Sequence, residues 1–162
     1  MPVRWLLPSL LLGLLLLAAT VPMTDAAAQA GALGDPTEPR RIVATVVTRS
    51  DDGRVFCAIW GARDGYPTRR EHAVGQAMDR TIEGHRAHCV FEDVPPGEYA
   101  LAAFHDENAN NDLDRNIFGI PSEGTGASND AYNAFGPPSW DDARFLFGRT
   151  EQTRQLRVHI HY

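Results

Sequence analysis

From Arg40 onward the chain alternates short apolar runs with clusters of turn-forming residues. The runs are "RRIVATVV" (40–47), "RVFCAIW" (54–60), "HCVFEDV" (88–94), "EYALAAFH" (98–105), "ARFLF" (143–147) and "QLRVHIHY" (155–162). Each is too short for an ordinary core helix, and each is rich in β-branched, aromatic or alternating residues, so they predict β-strands. The last is the clearest. Leu156, Val158, Ile160 and Tyr162 fall on one face, and Arg157, His159 and His161 fall on the other, because strand side chains alternate. "SDDG" at 50–53 and "PPG" at 95–97 supply turn chemistry between runs. Only "RREHAVGQAM", Arg69 to Met78, has a helical period; Gly75 weakens it, which allows at most a short crossover helix. Six or seven short strands with almost no helix predict one all-β domain, a two-sheet antiparallel β-sandwich over residues 40–162.

The chain before this pattern has a different character. Arg4 precedes an apolar run from Leu6 to Ala19, and small residues follow in "DAAAQAGA" (25–32). That order is the order of a secretory signal peptide. Residues 1–30 are expected to be removed, with cleavage after Ala28 or Ala30, and an uncleaved N-terminal anchor is the alternative. Residues 31–39 read as a flexible leader of Gly, Pro and small residues. No later stretch approaches the roughly 20 apolar residues of a membrane-spanning helix, so the expectation is an exported, periplasmic or extracellular protein that is not integral to a membrane.

Charge narrows the partners. Of 162 residues, 15 are Lys or Arg and 21 are Asp or Glu. Removing residues 1–30 takes away Arg4 and Asp25, which leaves 14 against 20 and the same net charge of −6. An acidic chain is a poor match for nucleic acid or an anionic lipid surface, since both select basic patches. The expected partner is therefore an unidentified protein or small ligand. The two cysteines, Cys57 and Cys89, each lie in a strand-like run. In an oxidising compartment they read as a disulfide, the alternatives being two buried thiols or a metal pair.

The phrase "FEDVPPGEYALAAFHD" places a strand, a Pro-Gly turn and a Tyr at the start of the next strand. It resembles the pattern of prealbumin-like and immunoglobulin-type sandwiches, and it puts Tyr99 at a corner with Leu101 or Ala103 sharing its face. With "GEYALAAFHDENANNDLDRNIFGIPSEGTGASNDA" and then "FGPPSWDDARF", the chain resembles the secreted bacterial domain-of-unknown-function family 2141 over about residues 41–162. His105 to Asn116 and Gly119 to Asn129 match that family's loop pattern. Asn111 departs from it, standing where Gly is usual, as do Thr125 and Ala127, where larger residues are common. The resemblance implies a sandwich fold and an exported location, and it carries no known activity.

Within that pattern, "HDENANNDLDRN" (105–116) places oxygen-bearing side chains at nearly every second position. With Asp106 as position one of a calcium loop, Asn108 is three, Asn110 five, Asp112 seven and Asp114 nine, with apolar Leu113 at eight. That is the first two-thirds of an EF-hand ligand frame, suited to a hard cation that takes six to eight oxygens. Asn111 occupies the position of the sharp turn, where Asn is the non-Gly residue most tolerant of a left-handed backbone. Ile117 stands where the bidentate Glu would sit, so Glu123 or Asn116 becomes the candidate to close the shell. Calcium is the expected cofactor, with affinity near the weak end of such sites, about 10⁻⁴ to 10⁻³ M. The competing reading is an Asx-turn network in which the same side chains bond their own backbone.

Other groupings are weaker. His159 and His161 share a strand face, and His85 and His88 lie beside Cys89; solvated surface explains the first pair better than a metal, and a disulfide would exclude the second site. Tyr132, Phe135 and Trp140 read as residues that fold the long loop 106–143 back over the sandwich, rather than as a binding platform. No Ser or Cys lies in a nucleophile-elbow sequence. The expected function is a non-enzymatic exported module, structural or ligand-binding, with no catalytic residue. The alternative is a hydrolase, or a regulatory domain of one, using His105 with Asp106, Asp114 or Glu123.

Overall fold

The structure is a computed structural model, and it describes residues 39–134 and 136–162. The expected signal peptide and nearly all of the expected leader lie outside the described residues. The apolar runs form strands β1 (Arg41–Val47), β2 (Arg54–Trp60), β4 (Arg86–Phe91), β5 (Gly97–Asp106), β7 (Phe145–Phe147) and β8 (Thr153–His159). Two further strands, β3 (Gly75–Asp79) and β6 (Gly124–Ala127), and one short helix, α1 (Trp140–Ala143), complete the domain.

Two sheets pack face to face, as the strand pattern predicts. One has the order β4-β1-β8; the other runs β3-β2-β5-β6, with β7 also on β5. One pairing departs from a purely antiparallel sandwich: β1 and β8 run parallel, Val46 opposite Val158. A parallel pair needs a long crossover, and here nearly the whole domain lies between the two strands. The stretch expected as a crossover helix is instead one 3₁₀ turn, Arg70–His72, followed by β3 on the edge of the larger sheet. Gly75 suits the strand that forms there. A Cβ at that position would come within 3.1 Å of Ile59 and 3.2 Å of Phe91, so the glycine lets β3 settle onto the core.

The inter-sheet core is built from alternate positions of five strands: Ile42, Ala44 and Val46; Val55, Cys57 and Ile59; Ala87, Cys89 and Phe91; Tyr99, Leu101 and Ala103; and Val158. Cys57 of β2 and Cys89 of β4 form the expected disulfide, with Cα atoms 6.2 Å apart, and it joins the two sheets through the middle of this core. Tyr99 is buried at the corner after the Pro-Gly turn, its hydroxyl donating to the Pro95 carbonyl at 2.9 Å. The larger sheet is also covered on its outer face. Ala58, Trp60, Ala100 and Ala127 pack there beneath Trp140 and Ala143, which is why β5 reads as a nearly continuous apolar run instead of an alternating one.

Candidate functional site

The acidic loop leaves the sheet at the last residue of β5. Asp106 faces Arg54, the first residue of β2, across the antiparallel ladder. The turn before β2 is pressed against the same point: a Cβ on Gly53 would lie 2.0 Å from the Asp106 carbonyl, and Gly53 has φ +70°. Only glycine meets both demands. The Asp106 side chain is 0 % exposed. Its Oδ1 accepts the backbone N–H of Asn110 at 3.0 Å and its Oδ2 that of Asn111 at 2.8 Å. Asn111 has φ 71°, the left-handed conformation that its place in the calcium frame requires.

The far end of the loop is held by Glu123, only 7 % exposed. Its two oxygens accept the N–H of Glu107 at 3.0 Å and of Asp114 at 3.1 Å, so one carboxylate ties the loop's start to its end. Between them, Asp114 receives the side-chain amides of Asn108 at 2.6 Å and Asn110 at 3.0 Å. Asn108 and Asn110 in turn accept the backbone N–H groups of Asn110 and Asp112. Asp106, Asn108, Asn110, Asp114 and Glu123 therefore belong to one hydrogen-bonded cluster. Asp112 turns away and accepts only the adjacent Leu113 N–H, as suits a frame position that ligates through its backbone carbonyl. Asn116 is outside the cluster and organises the segment beyond it.

Charge in this cluster is unevenly matched. Arg49 pairs with Glu107 at 2.6 Å. Arg54 donates to the Asn111 side chain at 2.7 Å and the Ala109 carbonyl at 3.0 Å, and its Nε lies 3.6 Å from Asp106. Among the described residues, no salt bridge reaches Asp112, Asp114 or Glu123. Nor do three or more His, Cys, Asp or Glu side chains converge there in metal-holding positions; as it stands, the loop is closed by its own amides. Sequence reasoning did not find Arg54, whose partnership with Asp106 depends on the β2–β5 register.

His105 is fully buried. Its Nε2 lies 2.6 Å from the Asp52 carbonyl, which can only accept, so Nε2 carries the proton and Nδ1 accepts from the Tyr162 hydroxyl at 2.6 Å. Burial pushes the Tyr162 hydroxyl pKa up. Among the described residues, the other histidines that the sequence singled out have separate surroundings. Cys89 is held in the disulfide, His85 N–H bonds Asp51, and His88 Nδ1 lies 3.4 Å from Thr45. His159 pairs with Asp130 at 2.8 Å, whereas the His161 ring packs on Tyr132 at 4.6 Å. Trp140 is buried edge-on against Tyr66, with ring centroids 5.8 Å apart, so it folds the loop back onto the sheet as expected. Tyr132 is exposed elsewhere, and Phe135 lies outside the described residues.

Neither a curated protein nor a solved structure matches the chain. The model of one protein family does match, over residues 44–155, a span that runs from β1 into β8 and contains the whole acidic loop. On that span the chain belongs to DUF2141, the family of uncharacterized proteins conserved in bacteria.

Proposed function

We propose that this protein is an exported, non-enzymatic module of immunoglobulin- or prealbumin-like type, whose loop 106–117 binds one calcium ion and presents the adjoining segment for structural or ligand-binding work. The observation that carries this reading is the pair of buried carboxylates, Asp106 and Glu123, at the two ends of one loop. Burying an anion is costly unless a cation or several hydrogen bonds compensate it. Arg54 stands 3.6 Å from Asp106, longer than the roughly 2.7–2.9 Å of a charge-assisted bond, and Glu123 has amide donors alone. Each carboxylate oxygen that accepts one amide retains capacity for a second partner. Calcium also asks for the backbone geometry already in place, with a left-handed residue at Asn111 and the Asp112 side chain turned aside.

Binding requires the loop to rearrange, since Asp106, Asp114 and Glu123 do not converge as it stands. The Asn108 and Asn110 side-chain amides now present N–H to Asp114, and rotating them presents oxygen there instead. The rotation gives up four hydrogen bonds, the Asx turns at Asn110 N–H and Asp112 N–H, each worth about 0.5–1.5 kcal/mol net, and the two amide bonds to the Asp114 carboxylate, each worth about 1.5–3 kcal/mol, a loss that calcium ligation by Asp106 and Asp114 must exceed. Against hydrolysis stands His105, whose two ring nitrogens are both engaged inside the domain. Calorimetric titration of calcium into the domain tests the reading. A saturable heat with one site per chain supports it, and the absence of heat at millimolar calcium overturns it.

A further inference from the structure

Beyond Asp114 the chain rises into a narrow neck and a tip that is apolar, exposed and rigidly built. Ile117, Phe118 and Ile120 are 93 %, 80 % and 59 % exposed, and no other stretch of the described residues exposes three large apolar side chains so close together. A chance apolar loop would leave its backbone to water. Here the backbone is bonded to itself. Asn116 Oδ1 accepts the N–H groups of Phe118 at 2.9 Å and Ile120 at 3.1 Å, and the Asn116 carbonyl accepts that of Gly119 at 2.9 Å. Asn116 N–H donates to the Ile120 carbonyl at 2.9 Å, and Arg115 donates to the Gly119 carbonyl at 2.9 Å. The neck is closed below by Ser122 N–H on the Asp114 carbonyl at 2.9 Å and by the Arg115–Pro121 bridge.

We infer that this tip is a membrane-contacting spike that dips Ile117, Phe118 and Ile120 into the headgroup–acyl boundary of a zwitterionic phospholipid surface. In lipid a backbone group finds no partner and must be satisfied internally, and Asn116 does that for the N–H groups of Phe118, Gly119 and Ile120. Charge agrees with the choice of lipid. Arg115 is the only charged residue from 115 to 122 and stands at headgroup depth, where it meets phosphate. The chain's net charge of −6 and the carboxylates behind the neck repel a strongly anionic surface. The contact is peripheral and weak, since three side chains replace no membrane span; among the described residues no helix is long and apolar enough to cross a bilayer.

The test uses the chain from Leu33 to Tyr162, which contains both hydrophobic clusters and the disulfide and omits the apolar run Leu6 to Ala19. Phe118→Trp is mixed with phosphatidylcholine vesicles carrying brominated acyl chains, in EDTA, so that calcium binding plays no part. Bromine quenches only a tryptophan at acyl depth; Trp60 and Trp140 are buried in the domain, and the wild-type chain supplies the baseline. The expected result is quenching of the Phe118→Trp emission alone. Vesicle sedimentation should fall about tenfold or more when Ile117, Phe118 and Ile120 are all changed to Ser, with the melting temperature unchanged. Unquenched emission from the Phe118→Trp variant at millimolar lipid overturns the inference, as does equal sedimentation of wild type and triple variant; a tip made for a protein pocket gives both.

Discussion

Glu123 and Glu107 are sixteen residues apart in the chain, and the Glu123 carboxylate accepts the Glu107 backbone N–H at 3.0 Å. Its second oxygen holds Asp114 N–H at 3.1 Å, so the buried carboxylate works as a clasp on the acidic loop. In EDTA, Glu123→Ala removes the acceptor for both amides and is expected to cost about 1–3 kcal/mol, read by urea unfolding. Glu123→Gln keeps an acceptor and removes the charge. Under the calcium reading it reduces the thermal shift produced by calcium if this carboxylate closes the shell, and leaves that shift unchanged if water does.

The disulfide between Cys57 and Cys89 spans 32 residues and both sheets. Cross-linking a loop of this size restricts the unfolded chain by about 3 to 4 kcal/mol in the chain-entropy account. Reduction, or the double change Cys57→Ser and Cys89→Ser, should lower the melting temperature by roughly 10 °C or more. Scanning calorimetry with and without reductant checks this, and unreduced protein should show no free thiol by alkylation and mass spectrometry.

Tyr99 combines a buried ring with one hydrogen bond, to the Pro95 carbonyl. Tyr99→Ala should cost about 3 kcal/mol or more, through lost burial and the cavity that remains. Tyr99→Phe keeps the ring and should cost about 1 kcal/mol. Denaturant unfolding of the two variants separates packing from the bond; a loss below about 0.5 kcal/mol for Tyr99→Ala would mark a surface position.

Stability should decline in alkali. Burial raises the Tyr66, Tyr99 and Tyr162 hydroxyl pKa values in the folded chain, so the folded state holds these protons more tightly than the unfolded one. A raised value contributes stability that is fully present below the unfolded tyrosine pKa of about 10 and is lost as pH climbs through the folded value. Urea midpoints measured from pH 8 to pH 11 should therefore fall. Tyr66, between Trp60 and Trp140, should carry much of the slope, and Tyr66→Phe should flatten it.

The strands that sequence could locate are those carried by an apolar run, alternating as in β8 or nearly continuous as in β2 and β5. Those it could not are set by neighbours far along the chain. "GTGA" reads as a loop, yet it forms β6, because Gly124 and Gly126 let the strand pass close over β8; a Cβ on Gly126 would lie 2.5 Å from the His159 carbonyl. The parallel partnership of β1 and β8 joins two segments more than a hundred residues apart, and no local period encodes it. In the loop, residue spacing gave the cluster members from Asp106 to Asp114, and the missing acid at Ile117 pointed to Glu123. Arg54 was hidden because cross-strand register, not spacing, places it opposite Asp106.

In the proposed function, calcium stabilises this domain through the cluster of Asp106, Asn108, Asn110, Asp114 and Glu123. The most direct measurement is the melting temperature of the wild-type domain in millimolar calcium against EDTA, repeated with Asp106→Ala and Asp112→Ala. Calcium at ~100 times Kd adds about 2.7 kcal/mol and should raise the wild-type midpoint by several degrees. Asp106→Ala should abolish the shift, and Asp112→Ala, whose side chain lies outside the cluster, should keep most of it. Identical wild-type midpoints in millimolar calcium and in EDTA would contradict the account and leave the loop as a self-contained Asx-turn network.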